Sequence, residues 1–174
     1  RTLAVGIIFE TDRDECVALL LDDKLAPKGY AYALVADGRG TLATVLYEKF
    51  NLGKACLEAT ITRFQDLLGI RIRNARHFGG HGDFDLTRPV AVEHRRYIGE
   101  AAGFQDYLFG FGIRYAILSG YLAAKSIIED RSYEKLCRDL LRARLRTSFV
   151  NRYCYKFLGP RGYDLLVRTS GRAC

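Results

Sequence analysis

The residues best placed to do chemistry lie between positions 97 and 125. Glu100 stands among Gly99, Ala101, Ala102 and Gly103, and Gly110 and Gly112 precede Ile113, which opens a long helical pattern. Glycine lets a ligand touch backbone, and the first turn of a helix carries N–H groups with no acceptor of their own, an electron-poor site for an oxygen or an anion. A carboxylate delivered to such a place describes a cofactor cradle. The same residues also describe a strand, a turn and a helix packed through small side chains.

Other clusters carry less. His81, Asp83 and Asp85 form a His-x-Asp-x-Asp run in a glycine-rich stretch, but the glycine and glutamate offsets of a calcium loop are lacking, and no metal site is expected. His77 and His94 flank basic residues, as proton donors do and as solvated histidines do more often. There is no Gly-x-Ser-x-Gly elbow and no P-loop, which leaves serine-hydrolase and nucleotide-triphosphatase readings without support. Cys16, Cys56, Cys137, Cys154 and Cys174 lie far apart with no Cys-x-x-Cys, so they read as reduced, packed thiols. No side chain can be singled out as catalytic.

The body that must position these residues is well cored. Of 174 residues 49% are hydrophobic and only three are proline, which excludes disorder and suits one globular domain or a piece of one. No charge-free apolar window is long enough to span a bilayer, and no signal peptide opens the chain; a cytoplasmic protein, peripheral to a membrane at most, is the expectation. The chain lacks methionine and begins within a strand pattern, so its N-terminal part is expected to be missing. Charge is uneven: residues 131–174 hold eleven basic and three acidic side chains, against sixteen and seventeen in the first 130. Such a surface suits anionic lipid, nucleic acid or a phosphorylated substrate, or is simply a solvated helix face. Arg152, Tyr153, Tyr155 and Lys156 interleave as nucleic-acid surfaces do, but no recognised binding motif accompanies them, which disfavours nucleic acid.

Periodicity predicts strands over 3–9, 16–21, 30–35 and 41–47, the last two flanking a turn at Asp37-Gly38-Arg39-Gly40, most simply as an antiparallel meander. Over 54–68 the period becomes helical, with Leu57, Ile61, Phe64, Leu67 and Leu68 on one face and Gly69 at the C-cap. A strand over 70–76, a loop at Gly79-Gly80-His81-Gly82-Asp83 and a strand over 90–98 follow. Residues 113–128 predict the longest helix. Ile113, Ala116, Ile117, Gly120, Tyr121, Ala124, Ile127 and Ile128 share one side of it, and the small members let another backbone come close. Ser132 can N-cap a helix with the stripe Tyr133, Leu136, Cys137, Leu140 and Leu141, and a further helix over 149–158 stops at Gly159-Pro160. The class is α+β.

The stretch from Gly99 to Ala124 resembles the second flavin-contacting motif of the FAD-dependent oxidoreductases that include geranylgeranyl reductases, aromatic-ring hydroxylases and flavin halogenases. That motif reads Gly-Asp-Ala-Ala-Gly, a loop usually carrying Pro, then Gly-x-Gly-Ile and a helix with Ser-Gly and Ala-Ala. Here it runs through Gly99, Gly103, Gly110, Gly112-Ile113, Ser119-Gly120 and Ala123-Ala124, with Glu100 for the usual Asp, Tyr107 for the customary Pro, and Phe109 and Phe111 for what are often Thr and Glu. Pro27-Lys28-Gly29-Tyr30-Ala31-Tyr32 resembles the Pro-x-x-Tyr-x-Trp strand of geranylgeranyl reductases; alternatively Tyr30, Tyr32 and Leu34 are one face of a half-buried strand.

The resemblance implies an antiparallel substrate-binding sheet with one helix over residues 1–89, the second half of a Rossmann-like FAD-binding domain over 90–130, and basic C-terminal helices over 131–174. It implies that Gly99, Glu100, Ala101, Ala102, Gly103, Gly110, Gly112 and Ile113 contact FAD, and that Tyr30 and Tyr32 line a tunnel for a hydrophobic, unsaturated or isoprenoid substrate. NAD(P)H is then an electron donor, and monooxygenase and halogenase chemistry are the alternatives within the superfamily. No Gly-x-Gly-x-x-Gly fingerprint occurs, so the implied match is to the C-terminal half of such an enzyme, and the fragment alone is expected to bind FAD poorly. A non-enzymatic basic module is the competing reading from another class.

Overall fold

Apolar alternation in the first 46 residues builds four strands of one sheet. The structure is a computed structural model that describes residues 1–85 and 87–170. Strands β1 (Thr2–Glu10), β2 (Cys16–Leu20), β3 (Tyr30–Ala36), β4 (Arg39–Leu46) and β5 (Arg73–Gly82) lie in the order β2-β3-β4-β1-β5. β2–β3, β3–β4 and β1–β4 are antiparallel, with Ala33 opposite Leu42 and Leu42 opposite Ile7. The expected meander therefore holds only for β2 to β4. β1 is apolar at almost every position, which suits a strand with neighbours on both sides, and it takes the place between β4 and β5. Ala36 pairs with Arg39 across Asp37-Gly38, both at positive φ (50° and 72°), the two-residue turn that matches strand twist.

One face of the sheet carries Ile7, Phe9, Ala31, Ala33, Val35 and Leu42, and α1 (Gly53–Leu68) closes over it with Leu57 and Phe64. Gly69 ends α1 at φ 64°, as the capping pattern predicts. β5 departs from expectation: it begins later, at Arg73, and runs through Gly79 and Gly80 instead of giving way to a loop. A Cβ on Gly79 would meet the Ala4 carbonyl oxygen and Val5 Cγ1, each at 3.3 Å, so glycine here serves close contact with β1.

The chain divides into two compact units: Arg1–His81 with the segment from Leu158 onward, and Gly82–Phe157. In the second unit the strand expected over 90–98 is a small hairpin, β6 (Ala91–Val92) and β7 (Arg95–Arg96), turning at Glu93 with φ 53°. Polar Glu93 and His94 in its middle leave no apolar run to bury as one strand. A 3-10 turn at Gly99–Ala102 follows, then α2 (Ile113–Ile128), with the bounds its periodicity predicts. α3 (Tyr133–Lys156) is one continuous helix where a break was expected. No Gly or Pro interrupts it, and Ser132 caps it by accepting from the Lys135 N–H at 3.3 Å. Pro160, read as a stop, opens α4 (Pro160–Ser170), since the first position of a helix needs no N–H partner. Among the described residues no helix is long and apolar enough to cross a membrane.

α4 is tied to the first unit by polar contacts. The Tyr163 hydroxyl donates to Asp23 Oδ1 at 2.9 Å, while Lys28 Nζ donates to Asp23 Oδ2 at 3.0 Å and to the Leu158 carbonyl at 2.8 Å. Partial burial raises the Asp23 pKa, but the Lys28 ammonium and backbone N–H and the Tyr163 hydroxyl outweigh it and hold the carboxyl below its usual value. A carboxyl whose pKa is lower folded than unfolded stabilises the fold above its unfolded value of about 3.9 and loses that contribution as pH falls through the folded one. Amide exchange of α4, corrected for intrinsic rates, is expected to accelerate as the pH drops from about 5 towards 3. Tyr163→Phe is expected to shrink that change, and protection flat across the window would refute the linkage.

Candidate functional site

The glycine- and alanine-rich bend at 99–103 is held from behind by α2 and α3. The Gly99 N–H donates to Ser119 Oγ at 2.9 Å, and the Ser119 hydroxyl donates on to the Tyr115 carbonyl at 2.6 Å. Tyr133 of α3 donates to the Tyr97 carbonyl at 2.7 Å, and Arg96 Nε to Ser126 Oγ at 2.7 Å. A Cβ on Gly99 would lie 3.0 Å from Ala116 Cβ, so the small side of α2 does admit another backbone. Inside the bend, the N–H groups of Gly103 and Phe104 donate to the carbonyls of Glu100 and Gly99, each at 2.9 Å.

Not every residue of the bend faces outward. Gly99, Ala102 and Gly103 are buried, Ala102 within a second core with Phe104, Leu122, Leu136 and Leu141; Glu100, Ala101 and Ile113 are exposed, and Gly110 and Gly112 are partly so. Gly112 precedes α2 with no side chain capping the helix, and on its Cβ side the nearest neighbour is Gln105 Cγ at 3.6 Å. The first turn of α2 has no side-chain cap, and the bend that carries exposed Glu100 packs on α2 through Gly99 and Ala116. Uncapped N–H donors and a carboxylate are groups that ligand oxygens and hydroxyls can use.

Two residues that the sequence did not single out shape the loop between the glycine clusters. Asp106 Oδ2 accepts from the Ser148 hydroxyl at 2.6 Å, and Oδ1 accepts from the Phe109 N–H at 2.8 Å. Ser148 Oγ accepts in turn from the Tyr107 N–H at 2.6 Å. The Asp106 backbone closes the loop, its N–H donating to Phe111 at 3.0 Å and its carbonyl accepting from Gly110 at 2.8 Å. Arg152 braces the same loop, donating to the Leu108 carbonyl at 3.3 Å and lying over the Tyr155 ring. An Asp four residues before a glycine signals a turn, but its Ser148 partner lies 42 positions away. Asp106→Ala is expected to cost about 1–3 kcal/mol in this unit and to speed amide exchange at Tyr107 and Phe109; unchanged protection there would refute the role.

The larger side chains on the small-residue side of α2 are uncovered. Ile113 is 81% exposed, Ile117 70% and Ile128 83%, while the buried residues of the helix are Ser119, Leu122 and Ser126. An open, mainly apolar cleft of about 850 Å³ runs along Ile113, Ile117, Leu118 and Tyr121.

In the other unit, Tyr30 and Tyr32 lie on the sheet face opposite α1, the first buried and the second partly so, with ring centroids 6.1 Å apart. Burial raises the Tyr32 phenol pKa. Ile8, Leu19 and Leu34 are exposed and alternate onto that same face. Of the His81-Asp83-Asp85 run, His81 Nδ1 lies 3.3 Å from the Thr2 carbonyl oxygen, while Asp85 accepts from the Thr87 N–H and hydroxyl at 2.8 and 2.6 Å.

The chain shares its fold with parts of a reductase-like protein and of a flavin-dependent brominase. A geranylgeranyl bacteriochlorophyll reductase-like protein from Thermoplasma acidophilum superposes with a TM-score of 0.72 at 18% identity, over 95% of this chain and 46% of its own. The flavin-dependent brominase Bmp2 superposes with a TM-score of 0.51 at 15% identity, over 99% of this chain and 50% of its own. A triple mutant of that brominase gives 0.51 at 13% identity, over 98% and 55%. The chain therefore spans about half the length of the solved structures it matches. No family model matches the sequence, and no curated protein does.

Proposed function

We propose that this chain is the C-terminal portion of an FAD-dependent oxidoreductase acting on a hydrophobic, unsaturated substrate of the isoprenoid kind. The observation that carries the proposal is the uncapped start of α2 behind open Gly112, beside exposed Glu100, on a fold held in common with a reductase-like protein and a flavin-dependent brominase. The residues present fit one part of such a cofactor. Free amides at Gly112 and Ile113 suit the acceptors on the pyrimidine edge of the flavin, and Glu100 suits hydroxyl donors of the ribityl chain. Gly99, Ala102 and Gly103 contribute through backbone shape, because their side-chain positions are taken up by packing. Asp106 and Ser148 hold the intervening loop in place and so keep those amides aimed.

Bound FAD would supply the redox chemistry for which no side chain here is suited. The rest of the cofactor site and the cover of the exposed α2 face are supplied, in this proposal, by polypeptide outside residues 1–174. The sheet face with Tyr30, Tyr32, Ile8, Leu19 and Leu34 offers an apolar surface from which a hydrocarbon substrate expels water. Expressed with its flanking coding sequence, the protein is expected to purify with flavin absorbance that bleaches on adding NADPH. A colourless protein that takes up no FAD overturns the proposal; flavin bands that bleach only with another donor remove NADPH alone.

A further inference from the structure

A second cleft in the Gly82–Phe157 unit, of about 270 Å³, is built from different chemistry. Arg88, Arg138 and Arg142 line it together with Phe104, Cys137 and Leu145, its two acids are Asp85 and Glu134, and Ala102 and Gly103 of the 99–103 bend form part of its wall. Arg138 and Arg142 are one helical turn apart on α3 and so share a face. Among the described residues neither side chain makes a hydrogen bond or ion pair. Asp85 does not neutralise them: its Oδ1 is engaged by both Thr87 donors, and its Oδ2 lies 3.9 Å from Arg88.

Planar guanidinium forks without partners, gathered on a concave surface with an apolar floor, match the oxygen geometry of phosphate. A volume of about 270 Å³ sits below the range of drug-sized pockets, and well below what a dinucleotide needs. We propose that this cleft, which shares only the Ala102-Gly103 wall with the proposed flavin cradle, is a second ligand site that takes the phosphate or diphosphate group of a small molecule, with Arg138 and Arg142 as its principal contacts and Arg88 as a further one. The site stands independently of the flavin reading.

Calorimetric titration of inorganic pyrophosphate into the full-length protein tests it. Saturable binding at one site per chain is expected, weakening as salt is raised because the arginines are exposed. Arg138→Gln and Arg142→Gln should each weaken binding about tenfold or more, and Arg142→Lys should recover part of it by keeping the charge without the fork. Arg146→Gln, on the same helix but outside the cleft, should leave it unchanged, and flavin content should be the same in all four variants. Since all these side chains are exposed, their melting curves should overlay. Non-saturable binding, an equal loss in Arg146→Gln, or displacement of pyrophosphate by FAD would each overturn the proposal, the last by assigning the cleft to the cofactor.

Discussion

Replacing Gly103 by alanine is expected to lower the melting temperature of the Gly82–Phe157 unit by roughly 15 °C, at a cost of about 3 kcal/mol. Two terms add. Gly103 sits at φ 72°, where an L side chain is strained by about 1–2 kcal/mol. A Cβ there would also be driven into the backbone carbonyl oxygen of Asp85, which cannot swing aside as a side chain could. Moving that backbone adds about 1–3 kcal/mol. Gly80→Ala is the matched control, since its Cβ would meet nothing within 4 Å and its φ is not positive. The readout is the thermal transition followed by near-ultraviolet circular dichroism. A shift for Gly103→Ala no larger than the control's would mean that the bend carrying Glu100 is not pinned as described.

Gly112→Leu is expected to do the opposite, leaving the fold nearly intact while weakening FAD binding roughly a hundredfold, about 2.7 kcal/mol. Gly112 has φ −105°, which any residue adopts, and its Cβ would make only ordinary contact with Gln105. Exchanging glycine for an aliphatic residue at the helix N-cap costs about 1 kcal/mol of stability. In the proposed cradle, the added side chain would crowd the first-turn amides that the ligand must reach. The measurement is flavin absorbance per polypeptide in the full-length protein, alongside its melting curve. Wild-type flavin content in Gly112→Leu would overturn the assignment of the cradle. Loss of flavin together with a collapsed melting curve would instead make Gly112 a structural residue like Gly103.

These two glycines belong to one motif and look equivalent in the sequence, yet a Cβ is barred by backbone at one and would make only ordinary contact at the other. The difference arises from Asp85, eighteen positions before Gly103, whose carbonyl lies where a Cβ would be. Asp106 and Ser148 make the same point, because their hydrogen bond joins a loop to the middle of α3. Neither residue type nor spacing marks such a pair, since short polar side chains bond wherever the tertiary fold brings them.

What the sequence determined by itself is what neighbouring residues decide among themselves. The bounds of α2, the Gly69 cap of α1, the Ser132 cap of α3 and the Asp37-Gly38 turn all follow from 3.6-residue periodicity, capping chemistry and positive φ, which act within a few positions. Only the tertiary structure decided which strand lies beside which, that β5 runs through two glycines, and that the isoleucines of α2 stand uncovered. Periodicity states which side of an element is apolar, not what covers that side, and strand order depends on contacts between segments far apart in the chain, whose free energy no local pattern records.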